Sequence, residues 1–332
     1  MRPIGSCLSG GPPSALCVSV PPPSVVAVVD IGSNSIKSLV ASRDERGGVV
    51  TQLTGTIDAR ISAGISQARP RLSEDGMRQG LAAIQELLVE TAVLAPEQTV
   101  LVATSAVRDA ANGAEFAERI RAATGHSLRI LTGEEEANLI GRGLTSDPQL
   151  ADLRSFYVFD LGGGSLECLA FRDRRMEQAI SLPLGCVRLT ERCVGQPDAP
   201  FTEQNRVAVA AVCRDTFATS GFRFSLPAGS GAVFAGGTMT TVRQILAEKS
   251  GLALPDTSPV IPVATNRALL HEVGVLPLAA RRAVAGLPPP RADVFPAALA
   301  TILAVAEIGG FTSFRHSLHN LRYGLAAELL QV

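Results

Sequence analysis

The amino-acid sequence predicts an α/β protein made of two similar domains with a cleft between them. Short β-branched runs alternate along the chain with segments whose apolar residues recur at helical spacing, as is typical of α/β architectures. Two stretches also share one plan: an apolar strand ends in Asp, a glycine-containing turn ends in Ser, and a second strand follows. They read VVAVVDIGSNSIKSLVA and SFYVFDLGGGSLECLAF, and Asp160 of the second lies 130 residues after Asp30 of the first. A repeat of that length indicates a duplicated domain, because solenoid units repeat every ~20–50 residues.

The first half of the chain predicts a hairpin followed by alternating helices and strands. Residues 25–30 and 36–41 are β-branched runs, and the turn residues GSNS between them predict a β-hairpin. The sequence Ser73-Glu74-Asp75 is a helix-start signal before the apolar positions of residues 77–88. The further predicted elements are a strand at residues 99–104, a helix at 115–123 closed by Gly125, and a strand at 128–131.

The second half predicts a second hairpin, with strands at residues 155–160 and 166–171. Turn residues at 145–148 mark the domain boundary, so we expect domains at 25–146 and 147–332, with the last helix able to pack back on the first domain. Residues 1–24 are rich in Pro, Gly and Ser and have no periodic apolar face, which predicts a flexible tail. No apolar run of about 7–15 residues follows Arg2, so a secretory signal is not indicated.

Composition excludes several classes of protein. An apolar content of 46% excludes disorder of the whole chain, and 30 basic against 31 acidic residues argue against a generally basic nucleic-acid-binding protein. The longest apolar stretch, residues 294–306, has 13 residues, whereas a membrane span needs about 18 or more. Six cysteines without a C-x-x-C pair predict free thiols in a reducing cytosol. We therefore expect a cytoplasmic protein that binds neither nucleic acid nor a membrane.

Each strand-Asp-turn unit predicts a place for a phosphate and a hard cation. Glycine and serine let an anion approach free backbone N–H groups, and the carboxylates of Asp30 and Asp160 are ligands that Mg²⁺ prefers. A third glycine-rich turn, at residues 234–238, follows an apolar run and precedes a helix-like segment, again an anion-binding geometry. The alternative is a purely structural turn capped by Asp, and the duplication of the motif favours the binding site.

Three charged motifs allow two interpretations. In Glu134-Glu135-Glu136, the acids fit a capping box with Thr132 and complement the helix dipole, or else one of them is a catalytic base. Arg108, predicted to end a strand that continues to residue 107, and Arg188 are either ordinary surface residues or bidentate phosphate ligands.

Five strings together resemble the exopolyphosphatase / guanosine pentaphosphate phosphohydrolase (Ppx/GppA) family. They are DIGSNSIKSLVA from Asp30, ATSAVRDAAN from Ala103, LTGEEEANLIG from Leu131, DLGGGSLE from Asp160 and LGCVRLTE from Leu184. AGGTMTTV, RADVFPAALATILAV and LRYGLAAE look similar too. The two Asp-Gly turns alone would indicate only the wider actin, sugar-kinase and chaperone superfamily, and the glutamate and arginine strings narrow the resemblance to the phosphatases.

The resemblance implies two ribonuclease-H-like domains, an interdomain cleft and hydrolysis of a terminal phosphoanhydride. It implies Glu136 as the catalytic base and Arg108 as a phosphate-contacting arginine. It also implies that Mg²⁺, with Mn²⁺ as the alternative ion, is bound by Asp160, Glu167 and Asp30. The phosphate-binding positions are Gly32, Ser33, Asn34, Ser35, Arg60, Gly162, Gly163, Gly164, Ser165, Arg188, Gly236, Gly237 and Thr238. The implied substrates are inorganic polyphosphate, guanosine pentaphosphate (pppGpp) or guanosine tetraphosphate, and the implied assembly is a homodimer.

The sequence departs from the family pattern at two places. Residues 60–65 read RISAGI where the family has a segment like RLGEGL, so the acidic residue is missing. Ala297-Ala298 stands where a Pro-Gly or Ala-Gly pair is usual. The alternative functions are a kinase or ATPase of the same superfamily, and a non-catalytic sensor of polyphosphate or an alarmone. Retention of Glu136, Asp160 and Glu167 argues against the sensor, and the sequence does not choose between polyphosphate and pppGpp.

Overall fold

The computed structural model describes residues 24–45 and 47–332, so the predicted flexible tail lies outside the described residues except for Ser24. The strands are β1 (Val25–Ile31), β2 (Ile36–Arg43), β3 (Val49–Ile57), β4 (Gln98–Ala103), β5 (Leu128–Ile130), β6 (Phe156–Leu161), β7 (Leu166–Arg172), β8 (Arg175–Leu182), β9 (Gly231–Ala235), β10 (Val260–Pro262) and β11 (Ser313–His316). The helices are α1 (Glu74–Ala92), α2 (Ser105–Arg108), α3 (Gly113–Thr124), α4 (Gly133–Thr145), α5 (Cys186–Cys193), α6 (Glu203–Ser220), α7 (Gly237–Ser250), α8 (Val263–Gly274), α9 (Leu278–Arg281), α10 (Phe295–Gly309) and α11 (Leu321–Leu329). Short 3₁₀ helices occur at Pro148–Leu150, Leu254–Asp256 and Pro289–Arg291.

The strands form two sheets with the same internal order. The first runs β3-β2-β1-β4-β5, and the second runs β8-β7-β6-β9-β11-β10. In each sheet an antiparallel three-stranded meander is followed by two strands parallel to its first strand: β4 and β5 follow β1 in the first sheet, and β9 and β11 follow β6 in the second. The second sheet has a sixth strand, β10, which lies antiparallel to β11. The repeat in the sequence therefore extends to five strands of each sheet, and the α/β duplication predicted from it is confirmed.

Local signals explain where the helices begin and end. Ser73 caps α1, because its Oγ accepts a 3.0 Å hydrogen bond from the Gly76 amide. Helix α3 ends at Gly125, whose φ of 75° lies in the left-handed region that favours glycine. The predicted helix start at Ser73 and the predicted helix stop at Gly125 are thereby confirmed.

The prediction that the strand continues to residue 107 and is ended by Arg108 is wrong. Strand β4 ends at Ala103, and the amides of Val107 and Arg108 both bond back to the carbonyl of Thr104, at 3.1 and 3.0 Å. These bonds close the helical turn α2. The turn directs the Arg108 side chain toward α4 instead of along the edge of the sheet.

The last helix returns to the first sheet. Helix α11 packs against α4, β1 and β2, and α4 in turn packs against β7 and β8 of the second sheet. Glycines make the contact between α4 and α11 close: a Cβ on Gly324 would lie 1.8 Å from the Leu139 carbonyl oxygen, and one on Gly143 would lie 2.1 Å from that of Asn320. Helix α4 thus lies between the two sheets, with its N-terminal turn at their junction.

None of the helices in the described part of the chain combines the length and the apolar character needed to cross a bilayer.

Candidate active site

The two hairpins place charged residues at equivalent positions. Asp30 on β1 faces Lys37 on β2, and Asp160 on β6 faces Glu167 on β7. Both turns are closed in the same way, because Gly32 N donates to Ser35 O at 3.2 Å and Gly162 N donates to Ser165 O at 3.0 Å. The duplicated turn therefore presents Asp and Lys from one domain and Asp and Glu from the other.

The turns of the two domains touch each other, and only glycine fits at the contact. A Cβ on Gly164 would lie 2.4 Å from Oγ of Ser105 and 2.8 Å from Oγ of Ser33. The third glycine turn closes the group: Gly236 has a φ of 90°, and a Cβ there would lie 2.4 Å from Oδ1 of Asp160. The sequence predicts that these glycines let a phosphate approach the backbone. They also allow the two domains to come into contact and the Asp160 carboxylate to lie against the third turn.

A cavity of about 100 Å³ lies between the turns. The predicted site residues that line it are Asp30, Gly32, Ser33, Asn34, Ser35, Glu136, Asp160, Gly162, Gly163, Ser165, Glu167, Gly236, Gly237 and Thr238. Most of the predicted carboxylates and phosphate-turn residues, which are scattered over some 200 positions of the chain, are thus brought to one place.

Of the three consecutive glutamates in α4, Glu136 is the one that faces the cavity. Glu135 forms the capping box with Thr132, and Glu134 is exposed. Glu136 is buried, and its Oε2 accepts a 2.7 Å hydrogen bond from Nη1 of Arg108. Glu135 therefore has the capping role, and Glu136 is the member of the triplet placed as a candidate base.

The carboxylates of the cavity are held in an environment that disfavours their charge. Burial, followed by the charge of Glu167, raises the pKa of Glu136 well above its usual range, against the opposing effect of Arg108. Burial, followed by the charge of Asp160, raises the pKa of Glu167 to about 7. Burial also raises the pKa of Asp160 to about 6, and raises that of Asp30. A site with this much negative charge in a desolvated place is suited to cationic ligands.

Two basic side chains lie among these carboxylates. Lys37 lines the cavity, and burial together with Arg291 and Arg322 lowers its pKa to about 8. Arg322, from the start of α11, is buried, donates from Nη1 to the Ser38 carbonyl at 2.7 Å and is close enough to Asp30 to affect its pKa. The C-terminal helix thus contributes a charge to the site.

Several predicted site residues do not line the cavity. Arg188 donates to Gly164 O, Ile65 O and Asp109 Oδ2 at 2.9, 2.8 and 2.6 Å, and so connects the second domain to the first. Arg60 binds the Asp293 carboxylate and donates to Asn34 Oδ1 at 2.9 Å. The others outside the lining are Gly164 and Arg108, which reaches the cavity only through Glu136.

Sequence reasoning did not select some of the residues that line the cavity. Arg291 lies against Gly237 and donates from Nη2 to Ser35 Oγ at 3.1 Å. A sequence signal for Arg291 exists, because this residue begins the string RADVFPAALA, which resembles the family. The further polar residues of the lining are Thr104, Ser105, Thr241 and Asn320. Thr104, Ser105 and Asn320 lie at helix starts and Thr241 in the second turn of α7, and only the fold brings these uncharged side chains together.

The donor set fits a magnesium ion. No three His, Cys, Asp or Glu side chains within residues 24–45 and 47–332 are arranged to hold a metal by themselves. Mg²⁺ does not require such a set, because it keeps several waters and is bound by one or two carboxylates plus substrate phosphates. Oδ1 of Asp30 is buried without a hydrogen-bond partner, as expected of an atom that serves a water or ion.

Comparison with known proteins agrees with the site. The model of the Ppx/GppA phosphatase family matches residues 39–331. The chain belongs to the Ppx/GppA phosphatase family. Hydrolysis is thus its class of chemistry, and the prediction of two ribonuclease-H-like domains is confirmed.

Solved structures of the Ppx/GppA family share this architecture. An exopolyphosphatase-like protein superposes with a TM-score of 0.81 at 25% identity, covering 92% of this chain and 97% of that one. An exopolyphosphatase from Cytophaga hutchinsonii gives 0.81 at 21% identity, covering 93% and 98%. The PPX-GPPA enzyme of Aquifex aeolicus gives 0.72 at 24% identity, covering 92% and 100%. The last two similarities support the fold alone.

Proposed function

We propose that this protein hydrolyses the terminal phosphoanhydride of inorganic polyphosphate or pppGpp and releases orthophosphate. The observation that carries the proposal is the position of Glu136, a buried carboxylate that faces three glycine-rich turns across one small cavity. A phosphate held by those turns would present its phosphorus toward the carboxylate. The reaction class then follows from the residue types, because a phosphoanhydride has a good leaving group and needs a positioned water and charge neutralisation.

The turns bind the substrate in this mechanism. Backbone N–H groups near Ser33, Gly163 and Thr238 offer donors to phosphate oxygens, and the N-terminus of α7 adds a favourable dipole. Arg291, already bonded to Ser35, lies where its guanidinium reaches an anion between the first and third turns. These groups bind the terminal phosphate and fix its orientation.

Glu136 orients and deprotonates the attacking water. The water oxygen forms a bond to the terminal phosphorus, the bridging P–O bond breaks with its electron pair leaving on the shortened chain, and the water proton passes to Glu136. Burial raises its pKa toward neutral pH, and a general base is most effective when its pKa lies near the working pH. The hydrogen bond from Arg108 favours the ionised form of the carboxylate and holds its Oε2 in place.

One or two of the carboxylates of Asp160, Glu167 and Asp30 would hold Mg²⁺ together with the substrate phosphate. When bound, the ion would neutralise charge on the phosphate oxygens as the bond breaks. Carboxylates with pKa values of about 6 and about 7 for Asp160 and Glu167 would be fully ionised once the cation is present.

The test is phosphate release from tripolyphosphate, long polyphosphate, pppGpp and ATP, measured side by side with Mg²⁺. We expect turnover of polyphosphate or pppGpp, each much faster than ATP. Faster hydrolysis of ATP than of either would favour an ATPase or kinase of the superfamily. Tight binding of these anions without release of phosphate would favour a sensor.

A further inference from the structure

A buried cation lies behind the third glycine-rich turn, on the helix that this turn begins. Arg243 of α7 is buried, and within residues 24–45 and 47–332 its guanidinium forms no ion pair. It donates to Thr257 Oγ1 at 3.0 Å and to the carbonyls of Leu254 and Thr257 at 2.8 Å each. Burying a guanidinium without a carboxylate is costly, so the use of its remaining donors bears on its role.

A further donor of Arg243 reaches a buried histidine. Its Nη1 lies 3.2 Å from Nδ1 of His316, which ends β11 and is 1% exposed. Because arginine can only donate hydrogen bonds, Nδ1 is the acceptor. Burial, followed by the charge of Arg243, lowers the pKa of His316 to about 3, so the ring is neutral and carries its one proton on Nε2. The arginine therefore selects the tautomer of the histidine.

The proton on Nε2 continues the chain of hydrogen bonds toward the cavity. Nε2 of His316 lies 3.2 Å from Oγ1 of Thr240, so the threonine hydroxyl accepts. The hydroxyl then has its own hydrogen for the carbonyl of Gly236, 3.1 Å away. The same carbonyl also accepts the Thr240 amide at 3.3 Å. The donors thus all point one way, from the buried cation to the carbonyl of the third turn.

The carbonyl at the end of this chain shares its peptide unit with an amide of the cavity lining. Gly236 and Gly237 both line the cavity, and the Gly237 amide, at the start of α7, has no acceptor within its own helix. A carbonyl that accepts hydrogen bonds polarises its peptide unit, and chains of hydrogen bonds strengthen one another. The Gly237 N–H thereby becomes a stronger donor to an anion in the cavity.

We infer that Arg243, His316 and Thr240 form a buried relay that orients and polarises the Gly236–Gly237 peptide toward a phosphate in the cavity. His316 is a positioning residue, because it lies outside the cavity lining and acts through Thr240. The inference rests on the proposed function for the identity of the anion. It does not depend on hydrolysis, since the relay acts on binding.

The tautomer of His316 tests the direction of the relay. The chain has four histidines, His126, His271, His316 and His319, so protein labelled with ¹⁵N-histidine gives few ring signals. The signals of His316 are identified by their loss in His316→Gln. We expect a neutral ring with its proton on Nε2 throughout the range from pH 8 to pH 5. A proton on Nδ1, or an imidazolium at pH 6, would overturn the relay.

A variant of the middle member tests the effect on binding. Thr240→Val keeps the shape of the side chain and removes the hydroxyl between His316 and Gly236. The Kd for inorganic phosphate should rise about three- to tenfold, as expected for loss of one hydrogen bond. Thr240→Ser restores the hydroxyl and should bind like the wild type. The measurement is a calorimetric titration at 25 °C, with the fold of each variant checked by its Tm.

Thr301→Val is the matched control for loss of a buried hydroxyl. Thr301 lies on α10, is fully buried and donates to the carbonyl four residues before it, that of Ala297, at 2.9 Å. Its variant should lose stability much as Thr240→Val does and should keep the wild-type Kd. Wild-type affinity in Thr240→Val, or an equal loss of affinity in Thr301→Val, would mean that the relay is only structural.

The two proposals fail in different ways. If the wild type hydrolyses tripolyphosphate and Thr240→Val binds inorganic phosphate equally well, the positioning role is wrong and the hydrolase stands. If the wild type binds inorganic phosphate more tightly than Thr240→Val but does not hydrolyse tripolyphosphate, the positioning role stands and the hydrolase is wrong.

Discussion

Arg108 lies 2.7 Å from Glu136, measured from Nη1 to Oε2, and this bond joins a cation of α2 to the carboxylate that faces the phosphate turns. Arg108 is also bonded to the Leu131 carbonyl at 3.2 Å, just before α4 begins. The arginine therefore contacts both the start of the helix and its buried glutamate. Burial and the charge of Glu167 raise the pKa of Glu136, and Arg108 opposes them, so the arginine lowers the pH at which the proposed base becomes ionised.

Removing the arginine should move the acid limb of the pH–rate profile. In Arg108→Met the pKa of Glu136 should rise, because the arginine no longer lowers it. The value of kcat should therefore fall most at low pH and recover partly as the pH rises. The measurement is kcat against pH with tripolyphosphate. Arg129→Met is the matched control, because Arg129 pairs with Glu135, the exposed neighbour. An acid limb at the same pH in Arg108→Met and wild type would contradict this coupling.

Glycine at position 236 is required by the Asp160 carboxylate as well as by the backbone. Gly236→Ala should abolish activity, because the new Cβ would lie 2.4 Å from Oδ1 of Asp160. Gly221→Ala is the control for a positive φ without a clash, since Gly221 has a φ of 79° and open space around it. We expect Gly221→Ala to lose about 1–2 kcal/mol of stability. Gly236→Ala should lose more, because its φ of 90° and ψ of 172° lie in a region that is essentially restricted to glycine. Phosphate release should survive only in Gly221→Ala, and equal activity of the two would show that Asp160 tolerates the displacement.

Arg188 should act on stability more than on substrate affinity. Its three nitrogens are bonded to Gly164, Ile65 and Asp109, so Arg188→Gln should lower Tm by several degrees by loosening the contact between domains. The KM for tripolyphosphate should change only a few-fold. Arg192→Gln, an exposed position on the same helix, should leave both unchanged. A large rise in KM with an unchanged Tm would instead support the direct phosphate contact that the resemblance implies.

Burial of Glu167 makes stability depend on pH in a defined direction. Its pKa is raised from 4.5 to about 7, so between these values the folded state binds more protons than the unfolded state, and the free energy of unfolding falls as the pH rises. Glu167→Gln removes this contribution. Without divalent ions, the variant should therefore equal or exceed the wild-type Tm at pH 8 and gain less on acidification to pH 5.5. Parallel curves for the two proteins would argue that Glu167 is not desolvated.

The sequence predicted the elements that depend on local signals. The first hairpin, the helix cap at Ser73 and the helix stop at Gly125 follow from side chains within a few residues, and the structure has them where expected. The duplication also placed Asp30 and Asp160 at matching ends of two sheets, because a repeated pattern folds in the same way twice. The resemblance of residues 131–141 to the family's sequence then added Glu136 to the predicted site residues.

The remainder depends on long-range packing that one sequence does not encode locally. Residues 105–108 form a helical turn because the Thr104 carbonyl accepts hydrogen bonds from the amides of Val107 and Arg108. Arg60 and Arg188 match the family strings, yet their partners are residues far along the chain, so their contacts between domains could not be foreseen. Arg291 and Arg322 reach the site only because the last third of the chain folds back on it.

The glutamate triplet offers the most direct test of the proposed hydrolysis. Glu136→Gln keeps the shape of the buried side chain and removes the base, whereas Glu135→Gln changes the capping-box residue of the same helix turn. With tripolyphosphate or pppGpp, whichever the wild type turns over, Glu136→Gln should lower kcat by about 10²–10⁴-fold while the Kd for the anion stays nearly the same. Glu135→Gln should keep near wild-type kcat. Wild-type kcat in Glu136→Gln, with the loss appearing in Glu135→Gln instead, would contradict the assignment of Glu136 as the base.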